Sequence, residues 1–202
     1  MALGPAAMAK TPGDRLPAEM LRPDSPTTGQ PPLLTVLTTA VAAESTGAAT
    51  WLVLANQRVL AGFAALVAAV VMVGLLPAAP SIRTRFADRM LDRLFDACLL
   101  AAVAWMWRSS DPAVSALALL GLAASYLAAY ERARGEGLGF RGSEATAYRA
   151  IRQGLLVVLL LTGWVRWILI LFAGVTLFAV AVRASNVAGQ ERRRQLARWG
   201  LR

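Results

Sequence analysis

The chain has 202 residues, 57% of them hydrophobic, and a formal net charge of +9. High apolar content with a strong positive charge is typical of a membrane protein with several spans and excludes an ordinary soluble domain. No basic stripe is interleaved with aromatic residues, so nucleic acid is not an expected partner. Histidine is absent and Cys98 is the only cysteine, which excludes intrachain disulfides and leaves carboxylates as the acid–base and metal-binding groups.

The first 32 residues are rich in proline, alanine and threonine, and they predict a disordered cytoplasmic tail rather than a signal peptide. Six apolar runs follow, at 33–55, 59–79, 91–107, 112–130, 154–164 and 167–182. Most of them approach the roughly 20 residues that span hydrocarbon. The short fifth run is either half of a tight hairpin or, as we favour, a helix that begins near Tyr148 and carries its arginines into the headgroup region.

The runs predict an all-α fold, a polytopic membrane protein with a six-transmembrane-helix bundle at 33–183 and a basic cytoplasmic tail at 184–202. Arginines are concentrated before the third run, after the fourth and after the sixth, so the positive-inside rule places both termini in the cytoplasm. An aromatic belt is expected at the opposite face, formed by Trp105, Trp107, Trp164 and Trp167.

Asp88, Asp92 and Asp96 are spaced four residues apart where the third run begins, so they share one face of a helix. Acids entering hydrocarbon are costly and are functional candidates by default. Two interpretations remain equally open. One is a site for a cation, or for a phosphate-bearing ligand held through a cation. The other is a ladder of i, i+3 ion pairs within the helix, namely Arg85–Asp88, Arg89–Asp92 and Arg93–Asp96.

Glu44 is the one acid deep inside an apolar run. Such a residue is expected to face the interior of the bundle, because an ionised group at the bilayer centre costs about 2.5–3.5 kcal/mol on insertion scales. The slightly favoured alternative is that residues 44–47 mark a kink between an entry helix and a shorter span.

One block of the sequence resembles a known family. Asp92-x-x-x-Asp96 opens one helix, Ser125-Tyr126 closes the next, and residues 130–139 (YERARGEGLG) follow. This arrangement resembles the CDP-alcohol phosphatidyltransferase family, in particular its actinobacterial phospholipid-synthase branch. Members are six-helix membrane proteins, usually homodimers, with the signature D-x2-D-G-x2-A-R-x8-G-x3-D-x3-D, and the resemblance implies that this chain lies in a bacterial cell membrane. Two Mg²⁺ or Mn²⁺ ions hold the pyrophosphate of a CDP-linked lipid while an alcohol attacks and CMP leaves.

The resemblance implies roles for five residues. Asp92 would be a metal ligand, and Asp96 would be a metal ligand or the catalytic base. Arg132, Arg134 and Arg149 would bind a substrate phosphate, for which the rigid fork of guanidinium donors is suited.

The first half of that signature is missing from this chain. Counted back from Asp92, its positions hold Val71, Gly74, Leu75 and Ala78-Ala79, and Asp88 replaces its last glycine. Acids on a single helix cannot surround two metal ions. Whether the chain is an enzyme therefore stays open. It is either a divergent phosphatidyltransferase that uses CDP-diacylglycerol and a polar alcohol, or a silent paralogue. A silent paralogue would act as a lipid-binding subunit or a membrane partner, in a homodimer or in a heterodimer with a related membrane protein.

Overall fold

The computed structural model describes residues 33–75, 82–139 and 146–198, and all regular structure within these ranges is helical. The described helices are α1 (Leu33–Leu54), α2 (Arg58–Val70), α3 (Ile82–Trp107), α4 (Pro112–Gly137), α5 (Thr146–Thr162) and α6 (Val165–Arg198). A π-helical turn at Val71–Leu75 continues α2 and is called the π segment below. The predicted all-α fold is confirmed for the described residues, and the predicted tail at 1–32 lies outside them.

The six described helices form a closed ring. Around it the order is α1, α2, α5, α6, α4 and α3, and α3 packs on α1 again. The pairs α1–α2, α3–α4 and α5–α6 are hairpins with short turns, which all lie at one end of the ring, here called the turn end. The other end carries the starts of α3 and α5 and is called the connector end. Since α3 and α5 stand opposite each other, contacts between their side chains cross the interior of the ring.

The turns within the three hairpins are set by local sequence. Asp111 accepts a hydrogen bond from the backbone nitrogen of Val114 at 3.3 Å, and Pro112 follows it, so α4 begins there. Gly163 has φ +73° after α5, and Asn56 has φ 61° after α1. Left-handed residues of this kind end helices, because they turn the chain out of the helical path.

Small residues allow α2 to approach α5 closely. A Cβ atom placed on Gly62 would lie 2.5 Å from Leu161 Cδ2 and 3.3 Å from the backbone nitrogen of the same leucine. Ala61, Ala65 and Ala68 of α2 are fully buried. Close packing on small side chains is typical of helix interfaces in membranes, where van der Waals contact replaces the hydrophobic effect as the main attraction between helices.

The outer surface of the ring is strongly apolar. Large hydrophobic side chains are exposed on each described helix, for example Phe63, Leu119 and Phe178. Two helices are long and apolar enough to cross a membrane: Pro112–Gly137 and the Val165–Arg192 part of α6. The apolar stretch Arg58–Gly74 is shorter. The structure thus contains two candidate membrane spans among its described residues.

Four helices extend beyond the apolar runs that predicted them. Helix α3 begins at Ile82 instead of residue 91, and α5 begins at Thr146 instead of residue 154. Helix α4 ends at Gly137 instead of residue 130, and α6 ends at Arg198 instead of residue 182. The added residues are largely charged or polar, so hydropathy does not detect them, although arginine, glutamate and alanine favour helix. The favoured interpretation of the fifth run, a helix that begins near Tyr148, is confirmed.

Two expectations about α1 are wrong. The helix is continuous from Leu33 to Leu54 and is not divided at residues 44–47. Thr46 donates to the carbonyl of Ala42 at 2.7 Å within this intact helix. Glu44 is exposed on the outside of the ring and does not face its interior. Because α1 is apolar on most sides, the sequence pattern alone does not reveal which side packs inward.

Candidate functional site

The acidic stripe of α3 faces the interior of the ring near the connector end. Asp92 and Asp96 are buried, with 4% and 1% of their surface exposed, and Asp88 is half-buried. The four-residue spacing accounts for this shared direction, because residues i and i+4 lie above one another on a helix. The stripe points across the ring toward the first turns of α5.

Asp92 is surrounded by side chains from α5 and from its own helix. Its Oδ2 atom lies 2.5 Å from Arg152 Nη2 and 2.8 Å from Arg93 Nη2. Its Oδ1 atom accepts a hydrogen bond from Gln153 Nε2 at 2.9 Å and lies 3.3 Å from Arg149 Nε. Both oxygens of this carboxylate are therefore already occupied by cationic or amide nitrogen.

Asp96 is held by α4 as well as by α5. Its Oδ2 atom accepts a 2.5 Å hydrogen bond from the hydroxyl of Ser125, and it lies 3.2 Å from Arg152 Nη2. Arg93 lies 3.6 Å from the same oxygen and donates to the hydroxyl and carbonyl oxygens of Ser125 at 2.7 and 2.9 Å. Ser125 therefore joins α4 to the ion pairs of α3.

Nearer the connector end, Arg149 forms a bidentate pair with Asp88. Its Nη1 donates to Oδ2 and its Nη2 donates to Oδ1, each at 2.6 Å. Arg89 contacts Glu136 of α4 at 3.2 Å on the exposed side. Arg149, for which the resemblance implies a phosphate-binding role, is thus bound to a carboxylate of the stripe. Bidentate pairing of this kind is among the stronger side-chain contacts because both hydrogen bonds are charge-assisted.

The ladder interpretation is correct that arginines pair with the aspartates of the stripe, but most of these arginines are not the ones that it predicted on the same helix. Among the three predicted pairs, Arg93–Asp96 is present. Arg89 pairs with Glu136 instead of Asp92, and the side chain of Arg85 lies outside the described positions. The other arginines come from α5, about 60 positions later in the sequence. Three carboxylates thus meet three guanidiniums in this site, and their formal charges cancel.

The arrangement does not fit a divalent cation. Magnesium and manganese need several open oxygen ligands, whereas Nη2 of Arg152 lies against both Asp92 and Asp96. Within the described ranges, no three side chains of the cysteine, aspartate and glutamate type are grouped closely enough to hold a metal ion. The site is a neutral ionic cluster as it stands.

Two of the expected phosphate-binding residues lie on the last turns of α4. Arg132 is half-buried and lies within electrostatic range of Arg89, Arg93 and Arg183, while Arg134 is exposed. The connector end therefore gathers several arginines beside the neutral cluster. Their density is compatible with an anionic ligand or an anionic membrane surface.

The sequence placed Arg152 beside Arg149 as a basic position at the start of the fifth helix, but it did not predict that Arg152 or Gln153 would contact Asp92. Arg152 is 1% exposed and Gln153 is fully buried. A signal was present, because positions 149, 152 and 153 are spaced i, i+3 and i+4 and share one face at the start of an apolar helix. Polar residues on such a face indicate a partner inside the bundle.

The π segment lies beside the cluster, near Gln153. It packs against α1, α3 and α5 and fully buries Met72, whose sulfur lies 4.0 Å from Gln153 Nε2. Val71 and Gly74, which stand at the positions of the absent aspartates, lie in this segment. No carboxylate approaches the cluster from here.

Comparison with known proteins identifies no family for the chain, since no family model and no curated protein matches it.

Proposed function

We propose that this chain is a six-span membrane protein with a phosphatidyltransferase-like bundle, and that it serves as a non-catalytic partner subunit of a related membrane enzyme. One observation carries the proposal. Nη2 of Arg152 lies 2.5 Å from Asp92 and 3.2 Å from Asp96, so a fixed positive charge occupies the space between them. A divalent ion approaching these carboxylates meets like charge at short range and cannot bind without displacing the arginine.

The membrane arrangement rests on surface and charge. The outside of the ring is apolar on all its described helices, as a lipid-facing surface requires. Basic residues are concentrated at the connector end, where α1 begins and α6 ends. By the positive-inside rule, this end lies at the cytoplasmic face of a bacterial cell membrane, with both termini on that side.

A partner would supply the chemistry that this chain lacks. A related membrane protein with an intact signature could form a heterodimer with it, and membrane lipids would surround both. The apolar exterior offers such a surface without exposing polar backbone to lipid, because all the described spanning structure is helical.

The second candidate function is an active phosphatidyltransferase, and one observation favours it. Asp96 Oδ1 and Arg152 Nη1 are buried without a hydrogen-bond partner among the described residues, and such atoms are normally paired with water or ligand. This enzyme would move a phosphatidyl group from CDP-diacylglycerol to a polar alcohol with release of CMP. It would require Mg²⁺ or Mn²⁺ to displace Arg152 from Asp92 and Asp96, and Arg132 and Arg134 to bind phosphate.

CMP release separates the two candidates. The purified protein is given CDP-diacylglycerol, a panel of alcohol acceptors, and Mg²⁺ or Mn²⁺, and the double variant Asp92→Asn/Asp96→Asn serves as the control. We expect no metal-dependent release above this control from protein that is monodisperse and unfolds cooperatively. Release that depends on metal and disappears in the double variant would refute the non-catalytic proposal and support the enzyme.

Co-expression tests the partner role. A phosphatidyltransferase with an intact signature, from the same cell, is expressed with and without this chain. We expect the two proteins to elute as one stoichiometric complex and the enzyme's activity to change when this chain is omitted. Separate elution together with unchanged activity would contradict the subunit role.

A further inference from the structure

The turn end of the ring contains a cavity that is separate from the acidic cluster. Its volume is about 420 Å³, and it lies between the start of α2 and the α3–α4 and α5–α6 turns. Its walls include Arg58, Trp107, Asp111, Trp164 and Arg166. The mixture of guanidinium and indole groups marks it as a polar site within an aromatic border.

Arg58 is the cation of this cavity that the described residues leave uncompensated. Its guanidinium lies 5.9 Å from the ring centre of Trp107, and no acceptor among the described residues hydrogen-bonds it. Gly163 makes room for it, because a Cβ atom at that position would lie 3.1 Å from Arg58 Nη1. The guanidinium therefore faces the cavity with its donors available.

The remaining charges of the cavity favour an anion. Arg166 donates to Asp111 at 2.8 Å, and these two charges compensate each other. Asp111 also caps α4, so its carboxylate is committed to the protein. With Arg58 added, the cavity holds one net positive charge, which repels a cationic ligand and attracts an anionic one.

The surroundings of the cavity indicate a lipid rather than a soluble anion. Trp164 and Trp167 are 70% and 69% exposed at its border, as expected of indoles at the boundary between headgroups and acyl chains. On α2, Val59 next to Arg58 and Phe63 between one and two turns further on are also exposed and present an apolar surface. A phosphate at Arg58 would thus have hydrocarbon-compatible surface directly next to it.

We propose that this cavity binds the headgroup phosphate of an anionic phospholipid. Arg58 donates hydrogen bonds to the phosphate, the indoles of Trp164 and Trp167 border the headgroup, and the acyl chains follow the exposed side of α2. The inference needs the bundle to lie in a membrane, but it does not depend on whether the acidic cluster is catalytic.

Native mass spectrometry of the detergent-purified protein tests this site directly. Phosphatidylglycerol and phosphatidylcholine are titrated separately, and sn-glycerol 3-phosphate is added as a soluble competitor. Arg58→Gln removes the proposed phosphate donor. Arg108→Gln is the matched control, because Arg108 lies at the same end with its guanidinium 3.8 Å from the ring of Trp105 and does not line the cavity.

We expect wild type to bind phosphatidylglycerol more tightly than phosphatidylcholine. A lost charge-assisted contact corresponds to about tenfold in affinity, so Arg58→Gln should weaken phosphatidylglycerol binding by about that factor and Arg108→Gln should not. Equal binding of the two lipids, or equal loss in both variants, would overturn the proposal. Full displacement by millimolar sn-glycerol 3-phosphate would also overturn it, because the ligand would then be a soluble anion.

Discussion

Replacing Arg152 with methionine should lower the free energy of unfolding of the bundle more than any substitution at an exposed ion pair. The side chain is 1% exposed, and Arg152→Met removes its cation from two buried carboxylates while keeping much of its volume. Asp92 would retain Arg93, Arg149 and Gln153. Breaking a buried ion pair on one side costs about 3–5 kcal/mol, because the remaining charge loses its partner but stays out of water.

Most of this loss should arise at Asp96. Without Arg152 it retains the hydroxyl of Ser125 and the more distant Arg93 at 3.6 Å. The double variant Arg152→Met/Asp96→Asn should therefore be more stable than Arg152→Met alone, since the unpaired charge is removed with its partner.

The free energy of unfolding can be measured for these variants by equilibrium titration in mixed micelles. Arg89→Met is the control, because its pair with Glu136 has 58% and 38% exposed side chains and should contribute only about 0–1 kcal/mol. The reasoning is refuted if Arg152→Met costs no more than Arg89→Met, or if the double variant Arg152→Met/Asp96→Asn is no more stable than Arg152→Met.

Three further predictions concern other parts of the ring. Gly62→Ala should cost about 1–3 kcal/mol of unfolding free energy, because the added methyl meets the facing helix, whereas Gly47→Ala, with open space around it, should not destabilise. Asp111 has its pKa lowered by the hydrogen bond from Arg166, so its stabilising contribution should be complete above the ordinary value of 3.8 and disappear as pH falls through the lower folded value. Acid titration of unfolding should show this loss in wild type and not in Asp111→Asn. Glu44→Leu should not lower the free energy of unfolding, because Glu44 faces outward onto the apolar exterior, and a loss of stability would place it inside the bundle.

Much of the helical framework could be predicted because its signals are local. Apolar runs predicted all six described helices, and the spacing of Asp88, Asp92 and Asp96 predicted a shared face. The identity of their partners could not be predicted, because Arg149 and Arg152 reach the stripe from across the ring, and only the order of helices around it reveals that approach.

The extent of the helices and the direction of α1 were harder to predict for a different reason. Charged residues at the starts of α3 and α5 prolong these helices, yet they resemble connecting segments on a hydropathy scale. In α1, apolar residues surround Glu44 on nearly every side, so periodicity gives no inward face. Packing against α2 and α3 settles this orientation, and packing is a property of the assembled ring.

The most direct test of the account is Mn²⁺ binding by the wild-type protein, measured by electron paramagnetic resonance beside Asp92→Asn/Asp96→Asn. If Arg152 blocks access to the two carboxylates, as its contacts at 2.5 and 3.2 Å indicate, both proteins should leave the same amount of Mn²⁺ free. A bound Mn²⁺ signal in wild type that disappears in the double variant would show that a cation displaces the arginine, and it would contradict the central claim that the acidic site is closed.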